Sequence, residues 1–116
     1  MPITELNHFL LVAKNLERTR KFYENVLGLE LADRPDFGFP GRWYGIGHGQ
    51  LHLIQGDAPG GSLDPSGPHF AIAVEDLDAA RRELASAGVE TLDPGGAQLW
   101  LRDPDGNVIE LTSAPL

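Results

Sequence analysis

The feature that most limits the fold of this 116-residue chain is an internal repeat. The stretch that begins at His8 reads HFLLVAKNLE, and 61 residues further on the stretch that begins at His69 reads HFAIAVEDLD. Both copies hold a His-Phe pair, an apolar run and an Asn/Asp-Leu-acid group in the same order. Self-similarity at a fixed spacing is the signature of repeated structural units. The sequence therefore predicts two similar modules.

Each copy reads as a strand, a helix and then shorter strands. Asn15 and Asp76 follow the first strands as helix N-caps, because their side chains can accept a free backbone N–H. Apolar residues continue at helical spacing until Gly28 in one copy and Gly88 in the other, and glycine commonly follows the end of a helix. This pattern predicts an α+β fold.

The chain is predicted to be one domain, 1–116, with module one at about 5–55, a linker at about 56–67 and module two at about 68–113. The linker is rich in Gly, Pro, Ser and Asp and carries no periodic apolar signal. Half a chain of this length would be marginal as an independent fold, so we expect both modules to belong to one domain.

Charge and composition exclude several classes of partner. A formal net charge of −8 argues against nucleic acid, which needs a clustered positive surface. The absence of cysteine excludes a thiolate metal site. No apolar run is long enough to cross a membrane, and the first residues lack the pattern of a signal peptide. We therefore expect a cytoplasmic protein that does not bind nucleic acid or membranes.

Ligand-type polar residues interrupt otherwise apolar strands at corresponding places of the repeat: His8, His52, His69 and Glu110. Successive side chains of a strand point to opposite faces, so the apolar neighbours of each lie on the other face, where a helix can cover them. The four polar groups would then point into a cup on the uncovered face. A single strand histidine is more often structural, but the joint pattern favours a metal site.

Three stretches, in this order and spacing, resemble the vicinal oxygen chelate superfamily, the glyoxalase/bleomycin resistance protein/dioxygenase family. They read LNHF from Leu6, LERTRKFY from Leu16 and RDPDGNVIEL from Arg102, and the likeness extends from Asn7 to Thr112. The resemblance implies two βαβββ modules that form a curled mixed sheet, with the helices on its outer face. It also implies a homodimer, since two chains complete the cavity in many members.

The resemblance further implies metal ligands in the first and last strands of the modules, at His8, His52, His69 and Glu110, with Glu110 also the candidate catalytic residue. Three imidazoles and a carboxylate suit Fe(II), Mn(II), Ni(II), Co(II) or Zn(II) rather than calcium or magnesium. Such an ion would chelate a substrate through neighbouring oxygen atoms and act as a Lewis acid.

The type of reaction stays open between several classes of this family. His8, His69 and Glu110 match the two-His-one-carboxylate set of iron oxygenases, so an Fe(II) dioxygenase acting on a small aromatic substrate is the leading prediction. A glyoxalase I-like lyase using Ni or Zn is the alternative, although that class usually has an acidic residue where this chain has His52. The loops that would hold fosfomycin in a transferase are not evident. A non-catalytic antibiotic-binding protein is the third reading.

Aromatic residues after the first helix and in the late hairpin are candidates for stacking on a flat substrate, or for packing the core: Phe37, Phe39, Trp43, Tyr44 and Trp100. His48 lies between two glycines, which make a helix implausible there, so we expect it to be a turn residue in solvent.

Overall fold

The computed structural model describes residues 1–58 and 62–115. The chain divides into two compact units, residues 1–58 and 59–116. The first unit contains β1 (His8–Ala13), α1 (Leu16–Lys21), a π-helical segment (Phe22–Val26), β2 (Glu30–Ala32), β3 (Gly41–Ile46) and β4 (Gly49–Gln55). The second contains β5 (His69–Ala73), α2 (Leu77–Ser86), β6 (Thr91–Leu92), β7 (Gln98–Arg102) and β8 (Val108–Thr112).

Both units have the same topology. The strands of the first unit lie in the order β1-β4-β3-β2, and those of the second in the order β5-β8-β7-β6. In each unit the first strand pairs with the last in parallel, and the remaining pairs are antiparallel. The predicted α+β fold of two βαβββ modules is therefore confirmed, each module having its own four-stranded mixed sheet.

The predicted helix boundaries are also confirmed. The side chain of Asn15 accepts a hydrogen bond from the backbone N–H of Arg18, and that of Asp76 accepts one from Ala79. Gly28 and Gly88 follow the helices with φ of 70° and 71°, in the left-handed region that glycine adopts without a steric penalty.

The first helix differs from the uniform α-helix that the spacing predicts. After Lys21 it widens into a π-helical segment, in which the N–H of Leu27 donates to the carbonyl of Phe22, five residues earlier. The adjacent side chains of Phe22 and Tyr23 are both buried and meet edge to face. The Tyr23 ring also stacks on that of Tyr44 in β3.

The contact between Tyr23 and Tyr44 shows which face of the first sheet the helix covers. Tyr44 is paired with Leu51, so these two side chains lie on one face together with Leu53. All three are fully buried. The helix therefore covers the apolar face, as predicted, and leaves the opposite face of this sheet to the polar residues.

Tyr44 thus belongs to the core and not to a substrate-binding wall. Its hydroxyl donates to the Glu24 carboxylate at 2.9 Å. Burial, and then this hydrogen bond, raise the pKa of the Tyr44 phenol.

In the second unit the apolar face is formed by Leu99, Leu101, Ile109 and Leu111, which are buried. The register pairs Leu99 with Leu111 and Leu101 with Ile109, so all four side chains share one face. Among the described residues, no helix is long and apolar enough to span a membrane.

Candidate functional site

Strand register places His8 and His52 on the same face of the first sheet. His52 in β4 is paired with Leu10 in β1 and with Trp43 in β3. His8 lies two residues before Leu10 and therefore points to the same side as His52. This side is opposite to the face that carries Leu51.

The rings on this face form a stack. The His8 and His52 ring centroids lie 4.1 Å apart, with 19° between the ring planes. The Trp43 and His52 centroids are also 4.1 Å apart, with 5° between the planes. Phe37 lies 6.0 Å from Trp43, and Phe39 lies 6.0 Å from Phe37. Five aromatic rings therefore follow one another from β1 to the loop before β3.

Side-chain hydrogen bonds orient both histidines of this stack. His8 Nδ1–H donates to Asn7 Oδ1 at 2.7 Å, which leaves Nε2 as its potential metal-binding atom. His52 Nε2–H donates to Gln50 Oε1 at 2.8 Å. His52 is only 7% exposed, and its burial, followed by the proximity of His8, lowers its pKa.

The second unit brings together the other two predicted ligands. His69 Nε2 and Glu110 Oε1 lie 3.1 Å apart. The other carboxylate oxygen of Glu110 accepts a hydrogen bond from Gln98 Nε2 at 3.0 Å. His69 Nδ1–H donates to the carbonyl of Gly67 at 2.9 Å. Glu110 is thus a buried carboxylate, 8% exposed, fixed at both oxygens.

The arrangement in the two units is equivalent position by position. Glu110 is paired with Ala71 in β5 and with Trp100 in β7, as His52 is paired with Leu10 and Trp43. His69 lies two residues before Ala71 and so shares the face of Glu110. Each unit therefore offers a histidine on its first strand, a second ligand-type residue on its last strand, and a tryptophan directly across from that residue.

The donor set fits a divalent transition metal. His69 Nε2 faces Glu110 Oε1 at hydrogen-bond distance, and His69 Nδ1 faces the carbonyl of Gly67. A cation bound by both His69 and Glu110 would take the place of the hydrogen atom between them. Within residues 1–58 and 62–115, no three His, Cys, Asp or Glu side chains are grouped closely enough to hold a metal ion.

Comparison with known proteins identifies the family. The Glyoxalase/Bleomycin resistance protein/Dioxygenase superfamily profile matches residues 5–111. The chain belongs to this superfamily. Its relatives include Glyoxylase I 4 of Arabidopsis thaliana, 28% identical over 94% of this chain and 70% of that protein. Metallothiol transferase FosB of Lysinibacillus sphaericus is 27% identical over 100% of this chain and 86% of that protein.

Solved structures confirm the superfamily fold. A glyoxalase family protein from Bacillus anthracis superposes with a TM-score of 0.80 at 24% identity, covering 96% of this chain and 95% of that one. At this identity the likeness establishes the fold. The sequence alone does not favour the transferase class, whereas the relatives include proteins named as transferases as well as one named as a glyoxylase.

The aromatic residues predicted to bind substrate lie in different environments in this superfamily member. Phe37 and Phe39 are each 51% exposed, and the Arg34 guanidinium lies over both rings at about 5 Å. Arg34 also donates to the carbonyl of Phe39. Trp43 is half-buried in the ring stack, and Trp100 is half-buried beside Glu110. The indole N–H of Trp100 is buried and has no hydrogen-bond partner among the described residues.

Sequence reasoning missed the two glutamines that hold the ligand-type side chains. Gln50 and His52 share a face by the alternation of the strand, and this signal is visible in the sequence. Gln98 approaches Glu110 only because β7 pairs with β8 in the observed register. His48, by contrast, is exposed in the turn before β4, as predicted.

A cavity of about 420 Å³ in the second unit does not involve the predicted ligands. It is lined by Val89, Glu90 and residues 102–106. The Asp103 carboxylate within it accepts hydrogen bonds from the backbone N–H groups of Asp105 and Asn107 and from the Asn107 side chain. This part of the family-like stretch therefore shapes the turn between β7 and β8.

Proposed function

We propose that this chain is a metal-dependent enzyme that binds a divalent ion through His8, His69 and Glu110 and acts on a small molecule. The observation that carries this proposal is the equivalent pairing of ligand-type residues in the two units. In the first unit the pair is His8 and His52, and in the second unit it is His69 and Glu110. His52, the fourth predicted ligand, lies against His8.

The residues present suit the chemistry of the family. Imidazole nitrogens with one carboxylate favour Fe(II), Mn(II), Co(II), Ni(II) or Zn(II). When bound, such an ion supplies Lewis-acid polarisation of substrate oxygen atoms. Glu110 is also the proposed proton acceptor, because it is the carboxylate that lies beside the proposed metal ligand His69.

Lewis-acid chemistry on a small electrophile, as in a lyase or a thiol transferase, is the reaction type we put first. The relatives named glyoxylase I and metallothiol transferase support this class. The Fe(II) dioxygenase predicted from the sequence is the second candidate. It is favoured by the donor set of His8, His69 and Glu110, which is the two-His-one-carboxylate combination.

Phe37, Phe39, Trp43 and Trp100 remain the proposed substrate-binding residues. Phe37 and Phe39 present exposed ring surface to a flat or apolar ligand. Trp43 and Trp100 are paired in register with His52 and Glu110, so each tryptophan shares a sheet face with its ligand-type partner.

A metal-content experiment tests the proposed site. Protein purified without an affinity tag is analysed for metals and, after dialysis against chelator, retitrated with Fe(II), Mn(II), Ni(II) and Zn(II). We expect saturable binding by the native chain and at least a hundredfold weaker binding by Glu110→Ala, since a ligand is lost. His48→Ala is the matched control, because His48 is an exposed turn histidine. Equal binding by all three proteins would refute the site.

Activity assays with the metal-loaded protein separate the reaction types. Turnover of a glutathione hemithioacetal with Ni(II) or Zn(II) would identify a lyase, and thiol addition to an epoxide would identify a transferase. Oxygen uptake with Fe(II) and a panel of catechols would instead identify the dioxygenase. Tight binding of one of these substrates without turnover in any assay would identify a binding protein and not an enzyme.

A further inference from the structure

His52 lies between two other rings. The sheet order β1-β4-β3 puts the strand of His52 between the strands that carry His8 and Trp43. The two neighbouring rings therefore approach His52 from opposite sides, each with its centroid 4.1 Å away. Both faces of the imidazole are covered, which accounts for an exposure of only 7%.

The stacked arrangement prevents His8 and His52 from binding the same ion. A metal–nitrogen bond lies in the plane of the imidazole ring and is about 2.1 Å long. If two histidines bind one ion, both ring planes must pass through that ion, at about 2.1 Å from each binding nitrogen. The planes of His8 and His52 are inclined by only 19° at a centroid separation of 4.1 Å, so they meet far beyond that bond length.

Of the two rings, His8 is the one placed to be a ligand. His8 is exposed, its Nδ1 donates to Asn7, and its Nε2 has no hydrogen-bond partner in the part of the chain that the structure describes, so Nε2 can face a cation. His52 is buried between rings, and its Nε2–H donates to Gln50 instead. The same strand position in the second unit carries Glu110, whose oxygens contact donors and not stacked rings.

We infer that His52 is a positioning residue that fixes the His8 ring by stacking, and not a metal ligand. The inference rests on the proposed metal site and narrows its ligands to His8, His69 and Glu110. It also gives Trp43 a part in positioning. The stack continues through Phe37 to Phe39, and Arg34 lies over both phenylalanine rings. A movement of the loop before β3 would therefore be transmitted through these rings to His8.

The test compares a ring-preserving substitution with a ring-removing one, with Co(II) titration of the apoprotein followed by visible absorption. His52→Phe keeps a stacking ring but has no nitrogen, and we expect its Co(II) affinity to stay within about threefold of the native chain. His52→Ala removes the stack, and affinity should fall about tenfold, as when the support of a ligand is lost. His8→Ala removes a ligand and should abolish saturable binding.

A second variant and a metal-free readout guard against folding effects. Trp43→Leu leaves all ligand-type residues intact but removes the ring on one side of His52. We expect weaker Co(II) binding by this variant, because the stack that fixes His8 is then incomplete. In a Trp100→Phe background, Trp43 is the only tryptophan of the chain. Its emission in the apoprotein should change with His52→Ala and be restored with His52→Phe, and thermal unfolding identifies any variant that fails to fold.

Two outcomes overturn the inference. If folded His52→Phe loses Co(II) as completely as His8→Ala, His52 is a ligand. If Trp43 emission is the same with alanine at position 52 as with histidine, the stack does not exist. Absence of saturable Co(II) binding by the native chain would instead refute the proposed function, which is a separate result.

Discussion

Two amides, Gln50 and Gln98, hold ligand-type side chains in corresponding ways, but their expected importance differs. Gln98 donates to Glu110, a proposed ligand, whereas Gln50 accepts from His52, a proposed positioning residue. We expect Gln98→Leu to weaken metal binding about 10–100-fold, because the carboxylate loses its orienting donor.

Gln50→Leu is the matched control. We expect its metal affinity to change by less than about threefold, because Gln50 is not hydrogen-bonded to a proposed metal ligand. Calorimetric titration of both folded variants measures the difference. Equal losses in the two variants would show that the distinction between Glu110 and His52 is wrong.

The faces of single residues could be predicted from the sequence, but their orientations could not. Strand alternation fixes the side to which His8, His52, His69 and Glu110 point, and the structure bears this out within each unit. Stacking between rings depends on side-chain rotamers and strand register, which the sequence does not encode locally. The Trp43–His52 contact and the Gln98–Glu110 hydrogen bond were therefore beyond prediction.

At the scale of elements, the glycines after the helices are required by backbone conformation and not by packing. Gly28 and Gly88 have positive φ, and an added Cβ would meet nothing within 4 Å at either site. We expect Gly28→Ala and Gly88→Ala each to lower the free energy of unfolding by about 1–2 kcal/mol, the cost of the left-handed conformation for an L-residue. Urea unfolding measures this effect.

Gly45 in β3 provides the matched control for this prediction. An added Cβ there also meets nothing within 4 Å, but the backbone has no positive φ. Gly45→Ala should therefore be neutral or slightly stabilising, since glycine weakens a strand. A loss at Gly45 as large as at Gly28 would contradict the conformational explanation.

An ion pair ties α2 to the loop before β7 and should make stability depend on pH. The hydrogen bond from the Arg81 guanidinium, followed by that from the Gly95 N–H, lowers the pKa of Asp93 below its ordinary value of 3.8. Since the folded pKa is the lower one, this stabilisation is fully present above pH 3.8 and is lost as pH falls through the folded value.

We expect Asp93→Asn to lower the free energy of unfolding by about 1 kcal/mol at pH 7, and by less in strong acid, where the native Asp93 is also protonated. Asp78→Asn removes the more exposed partner of Arg81 and should have a smaller effect. Urea unfolding at pH 7 and in strong acid measures these effects. If the loss of stability caused by Asp93→Asn were larger in acid than at pH 7, the predicted direction of the pH dependence would be wrong.

Element boundaries followed from local chemistry and could be predicted. The caps Asn15 and Asp76 and the terminating glycines act within a few residues, so the sequence alone places them. The π-helical segment could not be predicted, because its apolar residues fit an α-helix equally well. The hydrogen bond from the backbone N–H of Leu16 to the side-chain oxygen of Gln55 could not be predicted either, because the two residues are 39 positions apart.

At the scale of the whole molecule, the repeat predicted the fold, because two copies of one pattern need two copies of one topology. The homodimer implied by the family resemblance stays a proposal. We expect light scattering after size exclusion to give the mass of two 12.6 kDa chains. A mass that stays at one chain at all concentrations would contradict the dimer.

The proposed ligands His8, His69 and Glu110 are expected to bind the same metal ion. Calorimetric titration of the apoprotein with Ni(II) tests this ligand set, and His8→Ala and His69→Ala are compared with the native chain. One substitution lies in each unit. We expect one ion per chain for the native protein and loss of saturable Ni(II) binding in both variants. A site of native affinity in each variant, or no Ni(II) bound by the native chain, would refute the proposed ligand set.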